Sequence, residues 1–142
     1  MDNRIIKFLA SRHIMTLSTL SEGGGVWCCN LFYALDRERG WLIFTSSEAT
    51  LHIAQALKNP QVGASVVLDT KVVGKIRGAQ IAGVFHDAHA SEETLKICKS
   101  RYLKRFPYAA LHLDHLWYVE ITELKYTDNR LGFGTKLHYT KQ

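Results

Sequence analysis

Hydroxyl side chains are concentrated at one junction in the sequence, where an apolar run gives way to a helical pattern. The run 41–44 is rich in β-forming residues and has about the length of a buried strand. Four of the six residues after it carry hydroxyls: Thr45, Ser46, Ser47 and Thr50. The first-turn amides of a helix lack intrahelical partners and the helix dipole favours negative charge, so this junction is suited to receive an anion. Ser47 or Thr50 is alternatively a simple N-cap, and the stretch taken alone favours the cap.

A short helix is predicted directly after this junction. Leu51, Ala54 and Leu57 recur at helical spacing and form one apolar face within residues 51–58. The helix should end at Asn59-Pro60, because the residue before a proline is disfavoured in the α region. The hydroxyl residues would therefore lie at the N-terminus of this helix.

The composition is that of an ordinary globular chain. Its 142 residues are enough for one domain, residues 1–142, with 46% hydrophobic and 22% charged residues. No apolar run approaches a membrane-spanning length, and the polar N-terminus lacks the layout of a signal peptide. Three cysteines without a C-x-x-C pair argue against a disulfide framework or a structural zinc site. We therefore expect a cytoplasmic protein.

The net charge of +5 comes largely from one predicted helix. Ser91 and the two acids after it mark the start of this helix, and a basic cluster follows between Lys96 and Arg105. Such a cluster can attract nucleic acid, but it is more often the solvated face of a helix. No zinc finger or RNP-like motif accompanies it, so we do not expect nucleic acid as a partner.

The run Val26–Leu35 is predicted as a long strand that is apolar on both faces. An antiparallel strand with one wet face would alternate in polarity, so this strand should be covered on both sides. The core would cover one face, and a partner subunit, a helix or a flat ligand would cover the other. Asn30 is the strongly polar side chain of the run, and its expected hydrogen-bond partner is a backbone carbonyl or, second, a ligand.

The segment Lys75–His86 is predicted as a strand with two glycines in it. Gly78 and Gly83 indicate a bend, a bulge or the close approach of a flat group to the backbone. Arg77 and Gln80 are its polar residues, and their spacing directs them to opposite faces of the strand.

The remaining pattern predicts a mainly β fold. About six short strands, with three helices between them, indicate a small antiparallel barrel whose final strand is 116–126, followed by a polar, glycine-spaced tail. The pairs His86-x-x-His89 and His112-x-x-His115 lack the context of metal ligands, and we interpret them as surface or loop residues. The sequence assigns no metal site and no catalytic side chain.

The order of these elements resembles the FMN-binding split-barrel superfamily, whose best-known enzyme is pyridoxamine 5'-phosphate oxidase. Four motifs resemble more narrowly the small bacterial YhbP-like group of that superfamily. They are Trp-Cys-Cys-Asn-Leu-Phe-Tyr at 27–33, Ile-Arg-Gly-Ala-Gln at 76–80, Arg-Phe-Pro at 105–107 and Thr-Asp-Asn-Arg-Leu-Gly-Phe-Gly at 127–134. The resemblance covers nearly the whole chain, and the last motif is the most specific.

The resemblance implies a six-stranded antiparallel split barrel that forms a homodimer, with FMN bound in clefts at the subunit interface. The positions that hold the flavin phosphate in the superfamily correspond here to Thr45, Ser46, Thr50 and His52. The oxidases have a lysine where this chain has His52. Arg77 would then supply charge through bidentate contacts, and Asn30 and Gln80 would hydrogen-bond the edge of the flavin ring.

Two functions follow from the resemblance. The first is an FMN-dependent oxidoreductase that acts on a small molecule, in which the flavin supplies the redox chemistry. The alternative is a non-catalytic binding protein for flavin, haem or another planar anionic ligand. A shared fold does not separate these two functions, because related folds host both.

Overall fold

Three helices and eight strands make up the chain, and the computed structural model describes all 142 residues. The helices are α1 (Asn3–Ser11), α2 (Leu51–Lys58) and α3 (Glu92–Arg105). The strands are β1 (Ile14–Leu20), β2 (Val26–Phe32), β3 (Ala34–Asp36), β4 (Trp41–Thr45), β5 (Gln61–Val67), β6 (Arg77–Asp87), β7 (Leu116–Asp128) and β8 (Lys136–Thr140). None of the three helices has the length and apolar character needed to cross a membrane.

All eight strands belong to one antiparallel sheet. Its order is β2-β1-β5-β6-β7-β4-β3, and β8 pairs with β7 beside β6 and β4. β2 and β3 stand at opposite ends of this order, yet only Tyr33 separates them in the sequence. The sheet therefore curls until its two ends approach each other, and the predicted mainly β, split-barrel fold is confirmed.

The predicted count of six strands is too low, for two reasons. The predicted strand Val26–Leu35 is divided at Tyr33, which turns inward and donates a hydrogen bond of 2.5 Å from its hydroxyl to the Leu9 carbonyl. The tail forms β8, which pairs along the second half of β7. Residues 136–140 alternate between polar and apolar types, so the period-two signal of a strand was present in the sequence.

Two hydrophobic cores lie on the two sides of this curled sheet. The larger core fills the inside of the barrel, where Ile5, Phe8 and Leu9 of α1 close one end. The smaller core lies where α3 packs Cys98 and Tyr102 onto the outside of β3, β4 and β7. Part of the basic cluster of α3 is structural, because the Arg105 guanidinium donates to the backbone carbonyls of Ala10 and Arg12.

A β-bulge interrupts the pairing of the two longest strands. The register between β6 and β7 shifts at Ala82 and Gly83. A Cβ atom added to Gly83 would lie 2.5 Å from the Val119 side chain and 2.8 Å from the Glu120 carbonyl oxygen. Gly83 is therefore required by a close backbone approach, as its position within a strand predicts.

Candidate functional site

The hydroxyl loop, residues 45–50, brings three side chains together at the start of α2. Ser46 Oγ lies 2.8 Å from His52 Nε2 and 3.5 Å from Thr50 Oγ1, and Thr50 Oγ1 lies 3.3 Å from His52 Nε2. Ser46 and His52 are buried, whereas Thr50 is half-buried. Three of the residues predicted for the phosphate position are thus in mutual contact.

The loop is held in place by the first residues of β7 and the residue before them. The backbone amide of Ser46 and the hydroxyl of Thr45 both donate to the His115 carbonyl, each at 3.1 Å. The indole Nε1 of Trp117, a buried residue, donates to the Ser46 carbonyl at 3.0 Å. Thr45, the fourth predicted residue, therefore secures the loop and does not join the contacts around His52.

The first turn of α2 has no side-chain cap. Thr50 occupies the N-cap position, but its hydroxyl donates to the Ser47 carbonyl at 2.8 Å and makes no cap hydrogen bond. The backbone amides of Leu51, His52 and Ile53 accordingly have no acceptor within the protein. Thr50 is thus the N-cap residue, as one of the two predicted alternatives has it, but no side chain caps the helix and the amides remain available to an anion.

The site carries little positive charge of its own. Burial lowers the pKa of the His52 imidazole below its ordinary value of 6.5, so the ring is predominantly neutral near pH 7. An anion at this place would be held by hydroxyls, backbone amides and the helix dipole, without a neighbouring full charge.

The apolar face predicted for α2 is exposed in the structure. Leu51 and Leu57 are 50% and 56% exposed, and Ala54 is also exposed. The helix buries His52, Ile53 and Ala56 instead. The helical spacing was correct, but the face that meets the barrel is decided by how the helix docks, and this choice carries the His52 ring into the protein.

Asn30 and Gln80 lie on a different surface, the outer face of the sheet. The strand registers place a row of polar residues across six strands: Asn30, Thr16, Ser65, Gln80, Lys125 and His138. Asn30 and Gln80 are both exposed. Asn30 accepts a hydrogen bond of 2.8 Å from the Thr16 hydroxyl, so the expected backbone-carbonyl partner is replaced by a neighbouring side chain.

Apolar side chains surround this polar row on the same face. The exposed members on β1, β2 and β5 are Ile14, Leu20, Val26, Phe32 and Val67. We predicted that the second face of β2 is covered by a helix, a partner subunit or a flat ligand. No helix of the same chain covers this face. Apolar side chains that cluster on one exposed face are common on surfaces that bind another molecule.

Arg77 stands far from the hydroxyl loop within one chain. It pairs with Asp128 at one end of β7, whereas Thr45 pairs with Leu116 at the other end. The two ends are roughly 40 Å apart along the strand. The Arg77 guanidinium lies 5.8 Å from the centre of the Phe8 ring of α1. The structure thus separates Arg77 from the residues with which the resemblance grouped it.

A histidine and two carboxylates beside the loop were missed by sequence reasoning. His115 Nε2 lies 2.6 Å from Asp87 Oδ1, and His115 Nδ1 lies 3.2 Å from Glu48 Oε1 of the loop. The His115 ring stacks on His89 at 3.7 Å between ring centres. The two His-x-x-His spacings marked these histidines, but only the pairing of β6 with β7 brings them together.

Relatives of known sequence cover almost the whole chain. A UPF0306 protein of Yersinia pseudotuberculosis is 34% identical over 137 residues, which are 96% of this chain and 91% of the relative. The UPF0306 protein of Serratia proteamaculans is 35% identical over 138 residues, which are 97% and 94% of the two chains. The chain belongs to the UPF0306 family. No family model matches it.

Solved structures similar to this UPF0306 chain have the same curled sheet. A heme binding protein from Mycobacterium smegmatis superposes with a TM-score of 0.77 and 19% identity, over 94% of this chain and 55% of that chain. A FAD-binding protein from Mesorhizobium loti gives 0.71 and 12%, over 87% and 90% of the two chains. A NimC/NimA family protein from Clostridium acetobutylicum gives 0.71 and 16%, over 98% and 91%. At these identities the comparison establishes the fold.

Proposed function

We propose that this chain is an FMN-binding protein and that residues 1–142 form one flavin-binding domain. The observation that carries the proposal is the uncapped first turn of α2, where three free amides lie beside Ser46, Thr50 and His52. A phosphate group satisfies such amides and is favoured by the helix dipole. The similar folds of a FAD-binding and a heme binding protein support a flat cofactor as the ligand.

The residues at this site fit the phosphate of FMN by hydrogen bonding. Ser46 would donate from its hydroxyl, His52 from its ring, and Leu51 and Ile53 from their backbone amides. Thr50 would donate only after its hydroxyl proton turns away from the Ser47 carbonyl. Asn30 and Gln80 lie on the outer face, so they would reach the edge of a flavin ring only if that ring lies against this face. Arg77 could join the same flavin only from a second subunit.

We place a homodimer at the outer face of the sheet. The exposed apolar side chains around the polar row include Val26 and Phe32 at the edge strand β2, which are 65% and 50% exposed. A second copy that packs on this face would cover them and create clefts between the subunits. Sedimentation velocity tests this directly, and Phe32→Glu should shift the protein to the monomer.

We assign the bound flavin an oxidoreductase role, in keeping with the YhbP-like motifs at 27–33 and 127–134. FMN would supply the electron-transfer chemistry when bound. The chain would supply the binding groups and the shielded cleft. The alternative role, binding of flavin, haem or another planar anion without turnover, is supported by the similar fold of the heme binding protein.

The first experiment is an absorbance spectrum of the purified protein, repeated after addition of FMN and desalting. Flavin bands that remain at about one FMN per subunit, and that are lost in Ser46→Ala with Thr50→Ala, support the proposed site. Wild-type protein that retains no FMN contradicts it. Ser100→Ala, an exposed hydroxyl on α3, is a matched control.

A second measurement separates the two roles. Anaerobic addition of a reduced nicotinamide should bleach the bound flavin if the protein is an oxidoreductase, and a substrate should restore the colour. A bound flavin that no reduced nicotinamide bleaches supports the binding role instead.

A further inference from the structure

Four cationic side chains line a small cavity at the Asp128 end of β7. They are Arg4 and Lys7 of α1, Arg77 at the start of β6 and Arg130 after β7. The rings of Phe8 and Tyr126 also line this cavity, whose volume is about 240 Å³. We refer to it as the arginine pocket.

Two of the four cations are neutralised by carboxylates of the chain. Arg4 holds Asp2 through two hydrogen bonds of 3.1 and 2.9 Å. Arg130 holds Asp128 in the same way at 3.0 and 2.9 Å, and the Tyr126 hydroxyl donates to Asp128 at 3.0 Å. Both carboxylates are therefore already occupied and do not serve the other two cations.

Arg77 and Lys7 have no such partners. No side-chain hydrogen bond or ion pair is made by either residue, and the buried Nε of Arg77 has no hydrogen-bond acceptor. Arg77 is half-buried, so part of its guanidinium is shielded from water. A partly shielded cation without a partner is unfavourable, which applies to Arg77, whereas the exposed Lys7 adds an unpaired but hydrated charge at the edge of the pocket.

Stacking of Arg77 on Phe8 does not replace the missing hydrogen-bond acceptor. The ring attracts the guanidinium charge at 5.8 Å, but it offers no in-plane acceptor for the N–H groups. An oxyanion would provide both the charge and the acceptors. Phosphate is the best match, because its two negative charges equal the unpaired charge of the pocket and its oxygens suit the arginine fork.

We propose that the arginine pocket binds a phosphate group, free or as a small phosphate monoester, with Arg77 and Lys7 as the charged donors. The cavity is smaller than the roughly 300 Å³ at which pockets for drug-sized ligands begin, so only a phosphate with a short organic part fits. The site lies at the opposite end of β7 from the proposed flavin phosphate and does not depend on that proposal.

The test is a titration of ¹⁵N-labelled protein with inorganic phosphate at constant ionic strength, followed by amide shifts. The expected result is saturable shifts at Phe8, Ser11 and Leu131. Arg77→Gln should weaken binding about tenfold or more, since it removes charge-assisted hydrogen bonds, and Lys7→Gln roughly threefold. Lys71→Gln, an exposed lysine outside the pocket, should bind phosphate as the wild type does.

Three outcomes of the titration would overturn the proposal. They are an absence of saturable shifts in the pocket, equal phosphate affinity of wild type and both pocket variants, and shifts confined to residues 46–53. Lys7 is exposed on α1, so Lys7→Gln remains informative if Arg77→Gln fails to fold. Tighter binding of glycerol 3-phosphate than of inorganic phosphate would identify an ester as the natural source, and equal binding would identify free phosphate.

FMN retention in Arg77→Gln separates this pocket from the flavin site. Unchanged retention supports two independent sites. Parallel loss of FMN and phosphate binding would instead place Arg77 in the flavin cleft of a second subunit and overturn the inference. If the wild type binds no FMN, the flavin proposal fails and the phosphate titration still decides this one.

Discussion

The two ends of β7 both present groups that favour anions, and they do so by different means. Near Leu116, the hydroxyl loop offers neutral hydroxyls, an imidazole of lowered pKa and the free amides of α2. Near Asp128, the arginine pocket offers full charges, half of which are already paired. One region is lined by dipoles and the other by charged side chains, and the length of β7 keeps them apart.

Salt should distinguish the two kinds of site. Dipoles and hydrogen bonds from buried groups are weakly screened, whereas charges on exposed side chains are screened strongly. The loop buries Ser46 and His52, while Arg130 of the pocket is half exposed. Added salt should therefore weaken the binding of an anion more at the arginine pocket than at the hydroxyl loop.

The largest effect is expected at the bulge between the two ends. Gly83→Ala should lower the free energy of unfolding by about 2–3 kcal/mol, since its Cβ would collide with Val119 and the Glu120 carbonyl. Urea unfolding followed by tryptophan fluorescence measures the change. Gly74→Ala, whose added Cβ would meet no atom within 4 Å, should be nearly neutral. An equal effect of both variants would contradict the close approach at the bulge.

A permanent positive charge at residue 52 would give the hydroxyl loop the full charge that it lacks in comparison with the arginine pocket. His52→Lys should tighten FMN binding by roughly tenfold, because a lysine adds the full charge that the neutral imidazole lacks. Isothermal titration with FMN provides the measurement, and His52→Gln serves as the uncharged control. An affinity that stays flat or falls would remove His52 from the phosphate position.

A smaller change is expected from the hydrogen bond that steadies the arginine pocket. Tyr126→Phe removes the hydroxyl that donates to buried Asp128 and should cost about 1 kcal/mol of stability. Thermal unfolding reports the loss, and FMN retention should not change. A parallel fall in FMN retention would show that the two ends are coupled.

The smallest effects should appear in the pH dependence of stability. His52 has a lowered pKa in the folded chain, so the unfolded chain takes up the proton first as pH falls through 6.5, and stability begins to decrease there. Hydrogen bonds from Arg130, and next to them one from Tyr126, lower the Asp128 pKa from 3.8 to about 2. The stability from Asp128 is therefore complete above pH 3.8 and is lost as the pH falls toward 2.

Unfolding measured from pH 8 to pH 2.5 should separate these two windows. His52→Gln should flatten the decrease that begins near pH 6.5, and Asp128→Asn should flatten only the part below pH 3.8. Identical pH profiles for wild type and His52→Gln would show that burial does not perturb the imidazole.

Local signals in the sequence predicted several elements closely. The helix 51–58 has the predicted bounds, since Pro60 limits its end, and Ser91 caps α3 by accepting from the Thr94 amide. Gly78 and Gly83 predicted a bend, a bulge or the close approach of a flat group, and a bulge occurs at Gly83. These features depend on residues that are neighbours in the chain.

Features that depend on distant residues were predicted less well. The buried face of α2 was wrong, since helical spacing cannot tell which apolar stripe docks on the barrel. The cluster of Asp87, His89 and His115 forms only when β6 pairs with β7. Arg77 is separated from the hydroxyl loop because the two lie at opposite ends of β7. Neither the pattern around Arg77 nor the pattern at residues 45–50 shows where strand pairing will place them relative to each other.

The sequence by itself determined which side chains could bind an anion: the hydroxyls of residues 45–50 beside a helix start, and Arg77 in a glycine-containing strand. Only the tertiary structure decided that these lie at opposite ends of β7, that His52 is buried and that Arg77 is left without a partner. The physical reason is that residue type and spacing set local conformation, whereas burial, pairing and charge balance depend on strand registers formed between residues far apart in the chain.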